Sequence, residues 1–463
     1  MSITMKDVLS IAYVGVENIS LLRGRSFAHV STDSRTAGAG DLFIAIRGEK
    51  LDGHAFVKQA IEKGAACAVV DERADREPYK HHPHVIVRDT TKALGDLARV
   101  HRRKFSIPVL AVAGSNGKTT TKEMIAHVLS TRFRILRTQG NLNNHIGVPM
   151  TVFGLTKRHE IAVIEVGTNH FSEITKLCAI LEPTHGLITN IGREHLEFFR
   201  NLEGVANAEG ELFPALGTQG VGFVNVDDEW IVAHAKNLRK RITYGFSTRA
   251  KFRGTLKTLG TDGCAVLSVK ARGKKPFQIA LGIPGKHAAS NALAAAAVGI
   301  AFGVPARTIQ VSLKKFRSVG KRMEAVKIGG VRILNDTYNA NSDSVLSALE
   351  TLRDMHCTGS KIVILADMLE LGDEAQSEHE RIGHAVSAMG FAILLTYGPL
   401  AQHIKSAATD VKLNLHFDQK KALAEYATEL IRPGDIVLVK GSRAMKMEDI
   451  VTFLQERMGN RAA

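Results

Sequence analysis

The residues best suited to chemistry form a glycine-rich turn between an apolar run and a helix-forming run. The run Val109–Ala113 is wholly apolar, and a helix pattern follows the turn. Gly114 and Gly117 let the backbone curl so that successive N–H groups converge on phosphate oxygens, and the positive end of the next helix points at the same place. The full turn reads Gly114, Ser115, Asn116, Gly117, Lys118, Thr119 and Thr120. This pattern predicts a nucleoside triphosphate site.

Two side chains of the turn have specific expected tasks. Lys118 would bridge the β- and γ-phosphates, and the hydroxyl of Thr119 would bind Mg²⁺. The general phosphate-loop pattern has a glycine five residues before Gly117, where this chain has Val112. The shorter GxxGKT form is therefore the one present.

Two further candidate ligands follow apolar strands. Glu165 ends the run Ile161–Glu165, and His195 follows an apolar run at 186–191. At the carboxyl edge of a parallel sheet, such side chains can reach a metal beside the phosphate loop. For each, the alternative is an ordinary solvent-exposed or packing residue.

The elements that must position these residues alternate between strand and helix, which favours parallel sheets covered by helices. We predict an α/β protein of three domains, with boundaries near residues 88 and 316. The central domain (89–316) has a mostly parallel sheet of the P-loop type with helices. An α/β domain (1–88) precedes it, and a Rossmann-like domain (317–463) follows. The strand-rich stretch at 246–283 predicts a small β insertion or sheet edge.

Composition narrows the class of protein. The chain has 463 residues with 44% hydrophobic and 23% charged residues, which is ordinary for a globular protein. The formal charge of +15 suits polyanions, but aromatic residues are only 6% and basic residues are scattered, so nucleic acid is not the expected partner. The four cysteines form no CxxC pair, which favours a reducing compartment such as the cytoplasm. No apolar run approaches the roughly 18 residues that a membrane span needs, and the N-terminus lacks a basic start followed by a cleavable apolar stretch. We therefore expect a cytoplasmic protein without a membrane span.

Beyond the phosphate turn, several ordered motifs resemble one known family, the Mur ligases of bacterial cell-wall synthesis. They are the run GNLNNHIGVP at 140–149, the Glu165 strand and the run NDTYNAN at 335–341. The resemblance extends from DSR at 33–35 and DLF at 41–43 to KGSR at 440–443. Within the family, the GNxNNxIGVP and DxYNAN runs, together with DMLELG at 367–372, are similar to the member that adds D-alanyl-D-alanine.

This resemblance implies an ATP-dependent amide ligase that uses Mg²⁺. ATP would phosphorylate the terminal carboxylate of UDP-MurNAc-tripeptide, and D-Ala-D-Ala would displace phosphate from the acyl phosphate. The third residue of the tripeptide stays open between meso-diaminopimelate and lysine. The N-terminal domain would bind the UDP group, and we expect a monomer in the cytoplasm.

The resemblance also assigns residues. It places His195 beside a second Mg²⁺, with Thr119 and Glu165 as further magnesium ligands. Nucleotide contacts are implied for Asn291, Arg322 and Asp336. Substrate contacts are implied for Ser31, Asp33, Ser34, Arg35, Asn141, Asn143, Asn144, Tyr338, Asn339 and Asn341.

One position departs from the family. Many Mur ligases carry a carbamylated lysine shortly after the histidine, and aligning EGELF at 209–213 to that segment puts Glu209 in its place. We hypothesise that Glu209 supplies directly the negative charge that the modified lysine provides elsewhere. A shift of two in register would make Glu211 the relevant acid.

Four other functions compete with this one. Inside the superfamily they are the ligase that adds the third peptide residue, which typically shows a DNPR-like stretch absent from this sequence, and folylpolyglutamate synthase. Outside it, a basic P-loop protein could spend ATP on nucleic acid. A nucleotide-binding scaffold without catalysis fits less well, because Lys118, Thr119, Glu165 and His195 occur together.

Overall fold

A computed structural model of the protein describes residues 3–22, 24–273 and 275–462. Within them, the first sheet has five strands: β1 (Gly15–Glu17), β2 (Val30–Ser31), β3 (Leu42–Ile44), β4 (Cys67–Asp71) and β5 (His84–Val87). Their order is β1-β5-β4-β3-β2. All neighbours run parallel except β1, which is antiparallel to β5.

The second sheet contains the phosphate-loop strand. Its strands are β6 (Val109–Ala113), β7 (Ile135–Arg137), β8 (Ile161–Glu165), β9 (His185–Ile188), β10 (Val221–Asn225), β11 (Lys240–Gly245), β12 (Phe252–Leu259), β13 (Cys264–Ala271) and β14 (Phe277–Pro284). Their order is β14-β13-β12-β11-β10-β9-β6-β8-β7. Strands β12 to β14 form an antiparallel meander at one edge of this sheet, within the stretch 246–283 that predicts a small β insertion or sheet edge.

The third sheet has six strands: β15 (Glu324–Ile328), β16 (Val331–Asp336), β17 (Lys361–Ala366), β18 (Ile393–Tyr397), β19 (Leu413–Phe417) and β20 (Ile436–Lys440). Their order is β15-β16-β20-β17-β18-β19, and only β15 is antiparallel to its neighbour. Buried strands such as β20 are apolar for most of their length, here from Ile436 to Val439, because both faces of a parallel sheet are covered by helices. The predicted α/β class with mostly parallel sheets is confirmed.

Seventeen α-helices are present in the described residues. They are α1 (Met5–Val8), α2 (Val57–Glu62), α3 (Thr90–Arg102), α4 (Lys118–Leu129), α5 (Gly147–Phe153), α6 (Glu173–Leu181), α7 (Leu196–Phe199), α8 (Leu202–Gly210), α9 (Leu212–Ala215), α10 (Glu229–His234), α11 (Lys286–Ala301), α12 (Ala306–Lys315), α13 (Ser342–Asp354), α14 (Ala375–Ala388), α15 (Ala401–Ala407), α16 (Lys420–Leu430) and α17 (Glu448–Ala462). None of them combines the length and apolarity that a bilayer crossing requires.

The chain divides into two compact units. The first comprises Met1–Ala111, Phe133–Gly167 and Ser172–His185, and the second comprises Val112–Arg132, Thr168–Phe171 and Gly186–Ala463. In the first unit, Leu42 and Val69 of the sheet pack with Leu94 of α3 in one core. In the second, Phe199 of α7 belongs to the same apolar cluster as Leu365 of β17. Helix α7 is thus fixed against the third sheet.

Candidate active site

The phosphate turn folds as its glycines predict. Gly114 has φ +116° and Gly117 has φ +78°, which are conformations that L side chains rarely adopt. A Cβ at Gly114 would lie 2.3 Å from Oγ1 of Thr189, and one at Gly117 would lie 2.8 Å from Oδ1 of Asn291. Gly114 is therefore required for the close approach to the segment after β9, and Gly117 is required for the close approach to α11.

The segment after β9 holds the turn from one side. The N–H of Asn116 donates to Oδ1 of Asn190 at 3.0 Å, and Nδ2 of Asn190 donates back to the Asn116 carbonyl at 2.8 Å. The hydroxyl of Thr189 donates to that carbonyl at 2.7 Å. Ser115 Oγ accepts the N–H of Gly192 at 2.8 Å. Our motif analysis did not assign a role to Thr189 and Asn190, which lie within the predicted strand at 186–191 and directly after the observed strand β9.

Lys118 lies among carboxylates. Its Nζ is 3.3 Å from Oε2 of Glu194 and 3.5 Å from Oε1 of Glu209. Glu209 is fully buried, and its Oε2 accepts the N–H of Gly114 at 2.6 Å. Burial raises the pKa of Glu209, and the charge of Lys118 opposes that shift. Glu194, which the sequence analysis did not single out, thus belongs to the same cluster.

The structure places Glu209 rather than Glu211 at this cluster. Glu209 lies on the last turn of α8 with its carboxylate against the phosphate turn, whereas Glu211 follows the helix and is half-buried. One oxygen of Glu209, Oε1, is buried and accepts no hydrogen bond. That oxygen lies 3.5 Å from Nζ of Lys118 and is also of the type that binds a metal cation.

His195 lies beside Glu194 at the start of α7. Its Nδ1 is 2.5 Å from Oε2 of Glu370, and its Nε2 is 3.9 Å from Oε2 of Glu194. Burial lowers the pKa of His195, but the hydrogen bond to Glu370 and the charge of Glu194 outweigh burial and raise it overall. The same hydrogen bond lowers the pKa of Glu370.

The NDTYNAN run reaches the phosphate turn through one asparagine. Nδ2 of Asn341 donates to Oδ1 of Asn116 at 3.1 Å, while Oδ1 of Asn341 caps α13 by accepting the N–H of Ser344. On α11, Asn291 is nearly buried and approaches Gly117. The turn therefore contacts α11 and the N-cap of α13, which both belong to the second unit.

The other predicted nucleotide contacts are engaged with protein groups. Asp336 accepts Nζ of Lys440 at 2.6 Å and the N–H of Met323 at 3.0 Å. The guanidinium of Arg322 stacks on the ring of Tyr338, 3.5 Å from its centroid. Asn339 accepts Nζ of Lys440 at its carbonyl and the N–H of Arg443 at its side chain.

The first unit contains the remaining predicted residues of the central segment. Glu165 ends β8 and is buried, and its Oε1 accepts Nδ2 of Asn143 at 2.9 Å. Asn144 accepts the N–H groups of Ile146 and Gly147 at the start of α5. Asn141 is exposed. The structure thus joins Glu165 directly to the GNLNNHIGVP run.

The serine–aspartate–arginine turn near the N-terminus is also part of the first unit. Arg35 forms a bidentate pair with Asp33, and this lowers the pKa of Asp33 to about 2. Ser31 donates to the carbonyl of Asp33 at 3.0 Å, and Ser34 donates to Gln59 at 2.7 Å. These residues form one polar turn that begins at Ser31, the last residue of β2, and the arginine side chain is largely exposed.

The donor groups suit Mg²⁺ held on a nucleotide. No cluster of three or more acidic, histidine or cysteine side chains with metal-binding geometry occurs in the described part of the chain. Mg²⁺ bound to triphosphate needs only one or two protein ligands, because phosphate oxygens and water fill the other positions. Glu209 Oε1, Nε2 of His195 and the hydroxyl of Thr119 are of the appropriate types.

Comparisons with known proteins agree with the motifs. Three family models match: "Mur ligase family, catalytic domain" over residues 26–102, "Mur ligase middle domain" over 112–299 and "Mur ligase, glutamate ligase domain" over 321–443. A UDP-N-acetylmuramoyl-tripeptide–D-alanyl-D-alanine ligase of Bacillus subtilis is 36% identical over 431 residues, which are 92% of this chain and 93% of that protein.

Solved structures extend the similarity to three dimensions. The structure of MurF from Acinetobacter baumannii matches with a TM-score of 0.90 and 30% identity, covering 98% of this chain and 99% of that one. The MurF ligase of Thermotoga maritima, solved in complex with ADP, matches with a TM-score of 0.83 and 26% identity, covering 94% and 98%. These matches confirm the resemblance that the motifs indicated: the chain belongs to the Mur ligase family.

Proposed function

We propose that this chain is an ATP-dependent amide ligase that joins D-Ala-D-Ala to UDP-MurNAc-tripeptide during peptidoglycan precursor synthesis. The observation that carries this proposal is the contact of the phosphate turn with the NDTYNAN run, through Asn116 and Asn341 at 3.1 Å. The relatives named for this reaction, which match over nearly their whole length, support the choice of substrates.

The first half of the reaction is phosphoryl transfer. A carboxylate oxygen of the tripeptide attacks the γ-phosphorus of ATP, the bond to the β–γ bridging oxygen breaks, and ADP leaves. This step depends mainly on positioning and charge neutralisation. The N–H groups of the phosphate turn would hold the phosphates, and Lys118 would neutralise charge that develops on the γ-phosphoryl group.

Mg²⁺ would supply further charge neutralisation between the γ-phosphate and the acceptor carboxylate. His195 and Glu209 would hold this second ion, Thr119 would hold the other Mg²⁺, and Glu165 stays a predicted magnesium ligand. Glu209 needs no carbamylation to present a negative charge to this site. Its Oε2 accepts the N–H of Gly114 at 2.6 Å, and its Oε1 lies 3.5 Å from Nζ of Lys118.

The second half of the reaction is amide formation. The free amine of D-Ala-D-Ala attacks the carbonyl carbon of the acyl phosphate, the bond to the phosphate oxygen breaks, and the amine proton leaves with inorganic phosphate. Exclusion of water protects the acyl phosphate from hydrolysis. We place this reaction in the cytoplasm, carried out by a monomer with domains 1–88, 89–316 and 317–463.

The test is a reconstituted ligation followed by mass spectrometry. Purified protein receives ATP, Mg²⁺, D-Ala-D-Ala and either the meso-diaminopimelate or the lysine form of the UDP-linked tripeptide. We expect a UDP-MurNAc-pentapeptide from the wild type, and little from Lys118→Ala. Lys257→Ala, which changes an exposed lysine on β12, is the matched control. Phosphate release driven by DNA or RNA alone, without pentapeptide, would contradict the proposal.

A further inference from the structure

A loop from the third sheet reaches the imidazole of His195. Strand β17 ends at Ala366, and the DMLELG run follows it. Oε2 of Glu370, in that loop, lies 2.5 Å from Nδ1 of His195. The backbone adds a second contact, because the N–H of Glu197 donates to the carbonyl of Glu370 at 3.2 Å. The loop is therefore joined to the start of α7 by both side chain and backbone.

The loop that carries Glu370 is itself fixed. The N–H of Met368 donates to Nε2 of His379, and the N–H of Leu369 donates to Oγ of Ser442 at 2.9 Å. The carboxylate of Asp367 accepts the N–H of Ala401 at 2.7 Å. Glu370 is thus presented from a braced segment, although its own side chain is about half exposed.

Both partners adopt an unfavourable backbone conformation. His195 has φ +50° and Glu370 has φ +63°, so two residues with side chains occupy the left-handed region at one contact. Such conformations cost free energy and persist where surrounding contacts fix them, commonly at functional sites. The meeting of two of them across separate elements indicates that the contact is built into the fold.

The chemistry of the contact fixes one nitrogen of the ring. An ionised carboxylate can only accept, so Nδ1 of His195 carries a proton and donates it to Glu370. In the neutral ring the lone pair then lies on Nε2, which faces Glu194 and so the Lys118 cluster. A carboxylate on the far nitrogen is the arrangement that orients metal-binding histidines.

We propose that Glu370 is a positioning residue that holds His195 with its Nε2 lone pair toward the cation beside Lys118. The cation site is then complete only when the 367–372 loop is docked on α7, so the third sheet contributes to metal binding without supplying a ligand. The inference rests on the proposed function in one respect, namely that the cation is the one bound to the nucleotide phosphates.

The first test reads the tautomer directly. Nitrogen-15 NMR of histidine-labelled protein distinguishes a protonated Nδ1 from a protonated Nε2, and His195→Gln identifies the signal. We expect the Nδ1-protonated form in the wild type and a mixture or the other tautomer in Glu370→Gln. Asp373→Asn, which changes an exposed acid three residues away, should leave the signal unchanged. An unchanged His195 signal in Glu370→Gln would overturn the proposal.

The second test measures cation affinity without turnover. Electron paramagnetic resonance reports Mn²⁺ binding to the protein with β,γ-methylene ATP. We expect Glu370→Gln to weaken Mn²⁺ binding by about tenfold or more, as loss of such a partner typically does. His195→Gln should lose at least as much, and the double variant no more than His195→Gln alone. Metal-free nucleotide affinity should stay the same.

Retained Mn²⁺ affinity in Glu370→Gln, or losses that add in the double variant, would overturn the assignment. Equal weakening of metal-free nucleotide binding would also overturn it, because it would indicate a merely structural effect. Neither measurement uses the UDP-linked tripeptide or the dipeptide. A protein that forms no pentapeptide but shows the expected Mn²⁺ and NMR changes would therefore refute the proposed function and leave this inference standing.

Discussion

At the scale of single residues, Glu209 shows how burial and one neighbour determine what a carboxylate can do. It is fully buried, it accepts the N–H of Gly114, and it faces Lys118. A carboxylate removed from water needs such partners to stay ionised. The phosphate turn and Glu209 therefore depend on each other. The carboxylate accepts the buried N–H of Gly114, and that N–H stabilises the buried carboxylate.

The charge of Glu209 should matter more than its shape. Glu209→Gln keeps the volume and an oxygen that can accept from Gly114, but it removes the negative charge. We expect the ligation rate to fall by about 100-fold or more, which is typical for the loss of one preorganised electrostatic group. Glu209→Lys should recover part of that loss when bicarbonate is added, because carbamylation would restore an anion.

Initial rates of pentapeptide formation check this prediction. Glu211→Gln is the matched control, since Glu211 is half-buried at the end of the same helix. A fully active Glu209→Gln enzyme would contradict the prediction. If Glu209→Gln were active and Glu211→Gln inactive, Glu211 would be the acid that supplies the negative charge.

Local sequence patterns predict the candidate site only where its residues are neighbours in sequence, whereas Glu209 and Asn341 were named through the family resemblance. The turn at 114–120 is a local pattern of strand, glycines and helix, so its position follows from the sequence. Glu194 and Glu370 become part of the site through contacts across 76 and 175 positions of the chain. No local pattern encodes such contacts, and the motif analysis missed both acids.

At the scale of elements, buried strands were the most predictable features. Strands β6 and β17 coincide with the predicted runs at 109–113 and 361–366, because a strand covered on both faces is apolar throughout. Strands β15 and β19 lie at the two edges of the third sheet, where they are mostly half-buried with polar residues interspersed. Their weaker apolar pattern explains why the sequence analysis did not identify them.

The ends of two central strands are joined by a buried ion pair. Asp336 ends β16 and Lys440 ends β20, and the two residues are directly opposite in the parallel ladder. Their side chains meet at 2.6 Å with little exposure. Lys440 also donates to the carbonyl of Asn339 at 2.9 Å. The pair therefore sets the path of the chain from β16 into the NDTYNAN run.

Removing one partner should leave a buried charge uncompensated. We expect Lys440→Met to destabilise the protein by about 3–5 kcal/mol, measured by calorimetry. The double variant Lys440→Met with Asp336→Asn should recover more than half of that loss, because the remaining amide oxygen can still accept from Met323. Lys420→Met removes a more exposed pair with Asp449 and should cost less than about 1 kcal/mol. A double variant as unstable as the single one would contradict this reasoning.

At the scale of the whole molecule, the excess of basic residues determines how the protein attracts charged substrates. Lys and Arg number 61 against 46 Asp and Glu, a formal charge of +15. Such a charge attracts anions over the range of the Debye length, which is about 30 Å at 0.01 M salt and about 10 Å at 0.1 M. The two peptide substrates of the proposed reaction differ in this respect: the UDP-linked tripeptide is a polyanion, and D-Ala-D-Ala is a zwitterion without net charge.

Because D-Ala-D-Ala has no net charge, it is the control for the effect of salt on the anionic UDP-linked tripeptide. We expect kcat/KM for the UDP-linked tripeptide to fall about tenfold or more as ionic strength rises from about 0.01 M to 0.3 M, because screening removes the attraction that speeds encounter. The value for D-Ala-D-Ala, measured at saturating tripeptide and ATP, should change little. Potassium chloride and potassium acetate should give the same slopes, which separates screening from a specific anion effect. Equal salt dependence for both substrates would show that the net charge does not steer the anionic one.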